Sequence, residues 1–258
     1  MSDTHDEGPH GQTAIKGVFS RDVTLKIGAG TTTRKVTQTN HYYIEEDDAG
    51  GLTAQMLNNS FIPFGPKETV SREDVLENYK PELEIYAKKM LPAMREVQKT
   101  LARADRHRQQ KDYFSAEYEY KNALKLEDTN VRATFGLGLS YMERGDKEKA
   151  DDIFKRLIAL DDAFTPENKH LFNEFGINLR KQEMYEQALK YYAKALKTGP
   201  MDPHLLYNVA RIYHAQDNLL KAGAFLKKAV EIKPDFEEGA TFLRHVALEL
   251  KKRQAKPS

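Results

Sequence analysis

The sequence predicts a mainly α-helical protein: a right-handed solenoid of helical hairpins, closed by a capping helix and preceded by a small β-containing N-terminal unit. The prediction rests on a pattern that repeats about every 34 residues in the second half of the chain, on short β-branched and aromatic runs before it, and on a charged composition. The repeat predicts helices, and the runs predict strands.

The repeated pattern is a small residue, a bulky apolar residue four positions later, and a small or apolar residue three positions further on. Its four occurrences begin at Ala116, Ala150, Ala188 and Ala222, which are 34, 38 and 34 residues apart. A period near 34 residues indicates stacked helix-turn-helix units.

These units resemble the tetratricopeptide repeat family. The first-helix pattern of the family matches Leu137-Gly138 with Tyr141, Phe175-Gly176, and Val209-Ala210 with Tyr213. The resemblance implies four units at 97–130, 131–164, 169–202 and 203–236, the first of them degenerate, and then a capping helix and tail at 237–258.

Local signals predict how the helices begin and how closely they pack. Small residues at Gly138, Gly176 and Ala210 should let neighbouring helices approach closely. The predicted N-caps are Asp128, Asp202 and Asp235. An insertion at Thr165-Pro166 should start the first helix of the third unit about one turn early.

The first third of the chain has a different residue pattern from the repeats. Residues 1–13 are predicted to be a disordered tail, 14–66 a β-containing unit and 67–96 a helical connector that begins with Ser71 as a cap. The predicted strands are Ile15 to Phe19, Val23 to Ile27, Lys35 to Thr39, Tyr42 to Ile44 and Leu52 to Leu57. Pro81 is predicted to open a helix that Pro92 breaks or restarts.

Composition narrows the class of protein. The formal net charge is +1, far from that of a dedicated nucleic-acid binder, so nucleic acid is an unlikely partner. The absence of Cys excludes disulfides and thiolate metal ligands and favours a reducing compartment. No apolar stretch has the ~20 residues of a membrane span, so we expect a cytoplasmic protein without membrane insertion.

No known catalytic or metal-binding motif occurs in the sequence, so we predict no catalytic residues, no cofactor and no metal site. Gly28 to Lys35 lacks the spacing of a phosphate-binding loop and is interpreted as a β-turn. The acidic run Glu45 to Asp48 is interpreted as a solvated turn and not a Ca²⁺ loop. The basic stretch Arg103 to Lys111 is interpreted as a solvated helix face.

The resemblance implies a binding module, an adaptor, assembly factor or chaperone-like protein, in which the first helices line a concave groove. The predicted groove residues are Arg132, Phe135, Leu139, Met142, His170, Asn173, Ile177, Arg180, His204, Tyr207, Arg211 and His214. The partner is predicted to be an amphipathic helix or extended peptide with acidic residues, anchored at Phe135 and Tyr207 and oriented by Arg132, Arg180 and Arg211.

Three alternatives remain open at this stage. The groove could be ordinary helix surface, or the N-terminal segment of the chain itself could fill it. The protein could instead be a regulatory or sensory protein whose β unit binds a small ligand and whose repeats relay the signal. An enzyme built from distant residues ranks third. The sequence is compatible with a homo-oligomer and does not identify the partner.

Overall fold

The computed structural model describes residues 14–27, 34–165, 168–198 and 201–255. The predicted tail at 1–13, the predicted turn at Gly28 and Gly30, and Pro166 lie outside these residues. The chain divides into two compact units. The first comprises residues 1–102 with 122–129, and the second comprises residues 103–121 with 130–258.

The first unit contains a five-stranded antiparallel sheet with the strand order β4-β3-β2-β1-β5. Its strands are β1 (Lys16–Ile27), β2 (Arg34–Glu46), β3 (Leu52–Met56), β4 (Glu68–Val70) and β5 (Lys80–Pro81). The predicted antiparallel β structure is therefore confirmed. Four separate strands were predicted before residue 45, but they form only two long strands. β1 and β2 pair without interruption from Lys16–Glu45 to Ile27–Arg34.

Short helices follow the sheet in the first unit. Helix α1 (Arg72–Asn78) begins as predicted at Ser71, whose hydroxyl accepts a hydrogen bond from the Asp74 amide. Pro81 does not open a helix but pairs with Phe19 at the sheet edge, and α2 (Leu83–Ile85) follows. A π-helical segment (Tyr86–Met90) then precedes α3 (Leu91–Gln109), where Pro92 cannot donate a backbone hydrogen bond.

The sheet core of this unit is apolar. Ile44, Leu52 and Ala54 from the strands pack with Val75 and Tyr79 from α1 and its C-terminal end. The acidic run is a turn only in its second half, because Glu45 and Glu46 belong to β2. Asp47 Oδ1 accepts hydrogen bonds from the amides of Ala49 and Gly51. Those bonds use the Asp47 carboxylate to close the turn.

Paired helices follow α3. They are α4 (Tyr113–Leu126), α5 (Val131–Arg144), α6 (Lys147–Ala159), α7 (Lys169–Lys181), α8 (Tyr185–Thr198), α9 (Pro203–Ala215), α10 (Leu219–Ile232) and α11 (Glu237–Gln254). The buried positions on the second helices include the predicted alanines Ala116, Ala150, Ala188 and Ala222. The mainly helical, repeated architecture is confirmed.

Glycines on α5 and α7 face aromatic rings. A Cβ atom added at Gly176 would lie 2.4 Å from Cζ of Tyr192, and one at Gly138 would lie 2.6 Å from Cε2 of Phe175. A third such position, Gly136, would place its Cβ 2.1 Å from Cζ of Tyr120. Because these rings are buried and cannot swing into solvent, each glycine admits a ring that a larger residue would displace.

Helix caps follow the prediction only in part. Asp202 caps α9 by accepting a hydrogen bond from the His204 amide, and Pro203 begins that helix as predicted. The cap of α5 is Asn130 and not Asp128, and α11 has Phe236 at its N-cap with no side-chain bond, so the prediction for Asp235 is wrong. Both observed caps lie one or two residues after the predicted ones, because packing, and not local sequence alone, sets where each helix begins.

The insertion between α6 and α7 contains a 3₁₀ turn at Asp161–Phe164, and α7 begins at Lys169. The helix start predicted at Pro166 lies outside the described residues. Phe164 is buried, with its ring 5.1 Å from that of Tyr191 and 6.3 Å from that of Phe172. The 3₁₀ turn therefore supplies an aromatic side chain to the core.

Helix α11 closes the repeated part as predicted. Its Val246 is buried against Ala210, Ala222 and Leu226, and Phe242 and Leu250 pack at the edge of the same cluster. The last turn carries Lys251 and Arg253, which face the negative end of the helix dipole.

Gly176 provides a test of the packing. We expect Gly176→Leu to destabilise the protein by about 1–3 kcal/mol or more, because the new side chain occupies the position of the buried Tyr192 ring. Urea denaturation measures the change. Gly223→Ala is the matched control: its Cβ would meet Val246 Cγ1 at an ordinary 3.8 Å, and it should gain about 0.5–1 kcal/mol from helix propensity. Equal stability of Gly176→Leu and wild type would contradict the packing.

Glu117 gives a pH-dependent test. Burial by itself would raise its pKa, but hydrogen bonds from Lys121, Arg144 and Tyr141 outweigh burial and lower the pKa from 4.5 to about 2. A lowered folded-state pKa contributes stability above pH ~4.5 that is lost as the pH falls towards 2. We therefore expect Glu117→Gln to be less stable than wild type at pH 7, with the difference shrinking between pH 5 and pH 3. A difference that is independent of pH over this range would show that the ion pairs do not stabilise the fold.

Candidate partner-binding site

The first-helix residues predicted to line a groove fall into two groups. Phe135, Leu139 and Met142 on α5 are buried, with at most 1% of their surface exposed. The prediction that these three are exposed is therefore wrong, and Phe135 is not accessible as the predicted anchor. The Phe135 ring lies 5.6 Å from the ring of Phe175 on α7 and 6.4 Å from that of Tyr191 on α8, so this face of α5 packs against the following unit.

The predicted residues on α7 and α9 are more accessible. His170 and His204 are exposed, whereas Asn173, Ile177, Arg180, Arg211 and His214 are half-buried. Tyr207 is also half-buried and not fully exposed as predicted, because its ring lies 5.4 Å from Phe236 and 5.7 Å from Phe242. The C-terminal residues of the chain thus cover part of the predicted surface on α9.

A polar cavity of about 470 Å³ opens beside α5 and α7, within the second unit. Arg132 and Tyr120 both donate hydrogen bonds to Asp105. On the other side Arg108 donates to Glu143 at 2.8 Å and to Glu174 at 3.1 Å. The arginines of this cavity are therefore neutralised by carboxylates of the same unit.

Gly136 lines this cavity beside the Tyr120 ring and was not predicted as a packing residue. Tyr120 is fully buried beside it, and burial raises the pKa of the Tyr120 phenol far above its usual range. The phenol therefore stays protonated and can donate to Asp105. The sequence signal was available, since Gly136 lies two residues before Gly138, but only Gly138 matches the repeat pattern.

Arg180 and Arg211 differ from the arginines of the cavity. Neither has a carboxylate within 4.0 Å among the residues that the structure describes. Burial and, after it, the positive charge of Arg211 lower the pKa of Arg180. The Arg211 guanidinium lies 5.8 Å from the centre of the Tyr207 ring, close enough for a cation–π contact on α9. Two neighbouring, half-buried cations thus lack a counter-charge in the described part of the chain.

His214 takes part in a contact that the sequence did not indicate. Its Nε2 lies 2.8 Å from Oε2 of Glu249 on α11, and His245 lies on the same side of α11 as Glu249. The spacing of His245 and Glu249, one helical turn apart, was visible in the sequence, but their position next to His214 was not. His170 and His204 form no such cluster in the described chain.

Comparison with known proteins supports the assignment of the repeats. The family model of the tetratricopeptide repeat matches residues 101–163 and 173–235. A BBSome complex member BBS4 homolog of Drosophila melanogaster is 21% identical over 201 residues, which cover 66% of this chain and 41% of that protein. Anaphase-promoting complex subunit 3 of Schizosaccharomyces pombe is 23% identical over 129 residues, which cover 50% of this chain and 19% of that protein. The chain spans less than half the length of both relatives.

Two solved structures have a limited similarity to this chain. PilF of Pseudomonas aeruginosa has a TM-score of 0.49 and 15% identity, with 62% of this chain and 72% of that chain covered. BtubC from P. vanneervenii has a TM-score of 0.49 and 16% identity, with 64% of this chain and 84% of that chain covered.

Among the described helices, none has both the length and the apolar composition of a membrane span. By the match to the family model, residues 101–163 and 173–235 are tetratricopeptide repeats, with buried small residues at the repeated positions.

Proposed function

We propose that this protein is a protein–protein interaction module that binds an acidic, amphipathic segment of its partner along α7 and α9. Tetratricopeptide repeat proteins generally mediate protein–protein interaction and assembly. The observation that carries the proposal is the pair Arg180 and Arg211, two half-buried cations without a carboxylate partner in the described chain.

The unbalanced charge of these two arginines favours an acidic partner. Half-burial removes part of the water that solvates each guanidinium, and mutual repulsion raises the free energy of the pair further. A carboxylate from a partner would relieve both costs, and a guanidinium can bind it with two parallel hydrogen bonds. Arg132, by contrast, already binds Asp105 and contributes less to a partner than the sequence predicted.

The apolar part of the contact is also revised. Phe135 cannot act as an anchor because it is fully buried, and Phe135→Ala would cost about 3–5 kcal/mol of stability and not report on binding. Half-buried Ile177 and Tyr207 remain as apolar neighbours of the arginine pair on α7 and α9. The proposed surface is therefore Ile177, Arg180, Tyr207 and Arg211, flanked by the exposed imidazoles of His170 and His204.

The alternative function, sensing of a small ligand by the β unit, gains no support from the described residues of that unit. An adaptor or assembly role and a cytoplasmic location remain proposals, as does self-association. The relatives named BBSome complex member and anaphase-promoting complex subunit are components of assemblies by their names, and a comparable role here is part of the proposal.

A peptide-display selection on the full chain tests the proposed chemistry and does not require that the partner be identified. We expect wild type to enrich sequences in which Asp or Glu alternates with apolar residues. The Arg180→Glu/Arg211→Glu variant should lose this enrichment and bind the selected peptides more than tenfold more weakly, because it repels the carboxylates. Fluorescence anisotropy measures the affinities.

Lys190→Glu/Lys228→Glu is the matched control, since it reverses two exposed charges on the second helices α8 and α10. It should bind within about twofold of wild type, because charges outside a contact contribute little. Circular dichroism and thermal melting establish that both variants remain folded. A folded arginine variant that binds selected peptides as tightly as wild type would refute the proposed surface.

The single charge reversal Arg211→Glu tests whether Arg211 speeds the association of an acidic peptide through long-range attraction. We expect it to reduce the association rate more at 50 mM than at 200 mM salt, since the Debye length shortens from roughly 14 Å to 7 Å over this range. Stopped-flow measurements with a selected peptide supply the rates. An association rate with the same salt dependence in wild type and variant would mean that Arg211 does not face the incoming segment.

A further inference from the structure

The C-terminal end of the repeated part brings two imidazoles and one carboxylate together. They are His214 on α9 and His245 and Glu249 on α11, and one ligand atom from each lies within 4.8 Å of the other two. We propose that these three residues bind a Zn²⁺ ion that links α9 to α11. This site uses none of the four residues of the arginine surface proposed above, and its test does not depend on that proposal.

The distances fit a metal site that needs small side-chain adjustments. Nε2 of His214 lies 2.8 Å from Oε2 of Glu249, and Nε2 of His245 lies 3.8 Å from the same oxygen. Ligand atoms bound to tetrahedral Zn²⁺ at ~2.0–2.1 Å lie roughly 3.3 Å apart. The observed separations bracket this value, so rotations of the side chains could bring all three atoms onto one ion.

The helices and their packing hold the ligands in place. His245 and Glu249 are four residues apart on α11 and therefore share one face of that helix. Phe242, one turn earlier, has its ring 5.2 Å from that of His214 and 6.5 Å from that of His245. Phe242 packs at the edge of the core cluster of α9, α10 and α11 and supports both imidazoles from one side.

The local charge also favours a cation. Glu249 supplies a carboxylate, and His214 lies in the last turn of α9, where the helix dipole presents its negative end. The nearby cation Arg253 is held by Asp217 through two hydrogen bonds at 2.5 Å and 2.8 Å. The Arg253 guanidinium therefore does not take the place of the metal on Glu249.

The donor set selects the class of metal. Two imidazoles and a carboxylate suit Zn²⁺ and related first-row ions, whereas Ca²⁺ and Mg²⁺ prefer a shell of oxygen atoms. Three protein ligands leave the fourth tetrahedral position to water. The side chain of His245 is 61% exposed, which gives the ion a path of entry. When bound, the ion would join α9 to α11 more firmly than the single His214–Glu249 hydrogen bond.

Zn²⁺ titration of the chelator-stripped full chain tests the site, in competition with a chromogenic zinc indicator. We expect wild type to bind one ion that His245→Ala binds at least tenfold more weakly. His245→Ala keeps the His214–Glu249 bond, so its melting temperature without metal should equal that of wild type. Zn²⁺ at about 100 times its Kd should raise the melting temperature of wild type by about 5 °C and that of the variant by much less.

His170→Ala is the matched control, because it removes an exposed imidazole on α7 outside the cluster and should bind Zn²⁺ like wild type. His214→Ala provides a second loss of a ligand and should also weaken binding at least tenfold. Co²⁺ in place of Zn²⁺ should give the intense visible absorption of a tetrahedral site in wild type and not in His245→Ala. Equal Zn²⁺ affinity and equal thermal shifts in wild type and His245→Ala would overturn the proposal.

Discussion

The close approach of helix backbones to buried aromatic rings is the constraint on which the repeated part of this protein depends. Gly136, Gly138 and Gly176 each leave the space that a ring from another helix occupies. The rings of Phe135, Phe175 and Tyr191 then meet at centre-to-centre distances between 5.4 and 6.4 Å, in tilted or edge-on arrangements that aromatic pairs favour. Larger residues at the glycines would separate the helices and expose these rings.

This packing also decides which side chains remain at the surface. The apolar residues of α5 fill the space between α5 and α7. The accessible positions there are therefore occupied by charged groups. Asp105, Arg108, Arg132 and Glu174 pair with one another or with close neighbours around the cavity. On α7 and α9 the apolar centre is smaller and Arg180 and Arg211 are left without carboxylates in the described chain. The proposed binding chemistry is thus a consequence of how the core is filled.

The C-terminal helix has two effects on the same surface. It supplies the apolar side chains that cover the last hairpin, with Val246 fully buried. It also brings Phe242 against Tyr207 and Glu249 against His214, so two residues that first-helix periodicity assigned to a groove instead contact α11. A capping helix in a repeat array can therefore convert part of a binding face into an internal contact, and here it also assembles the proposed metal ligands.

The sequence by itself determined the class of fold, because a period near 34 residues indicates stacked helical hairpins. Closely packed helices need small residues where they cross, and the sequence has them at Gly138, Gly176 and the alanines of the second helices. It also determined the antiparallel β structure, since residues 14–57 contain short runs of β-branched and aromatic residues separated by turn-forming residues. It could not determine which first-helix residues are exposed. Periodicity places Phe135, Asn173 and Tyr207 at equivalent positions, yet the first packs in the core, the second is half-buried and the third contacts the capping helix. Only the tertiary structure decided this, because exposure depends on which neighbour each helix meets. The ion pair of Arg132 with Asp105 and the contact of His214 with Glu249 likewise join residues from different helices, which the sequence of one helix does not reveal.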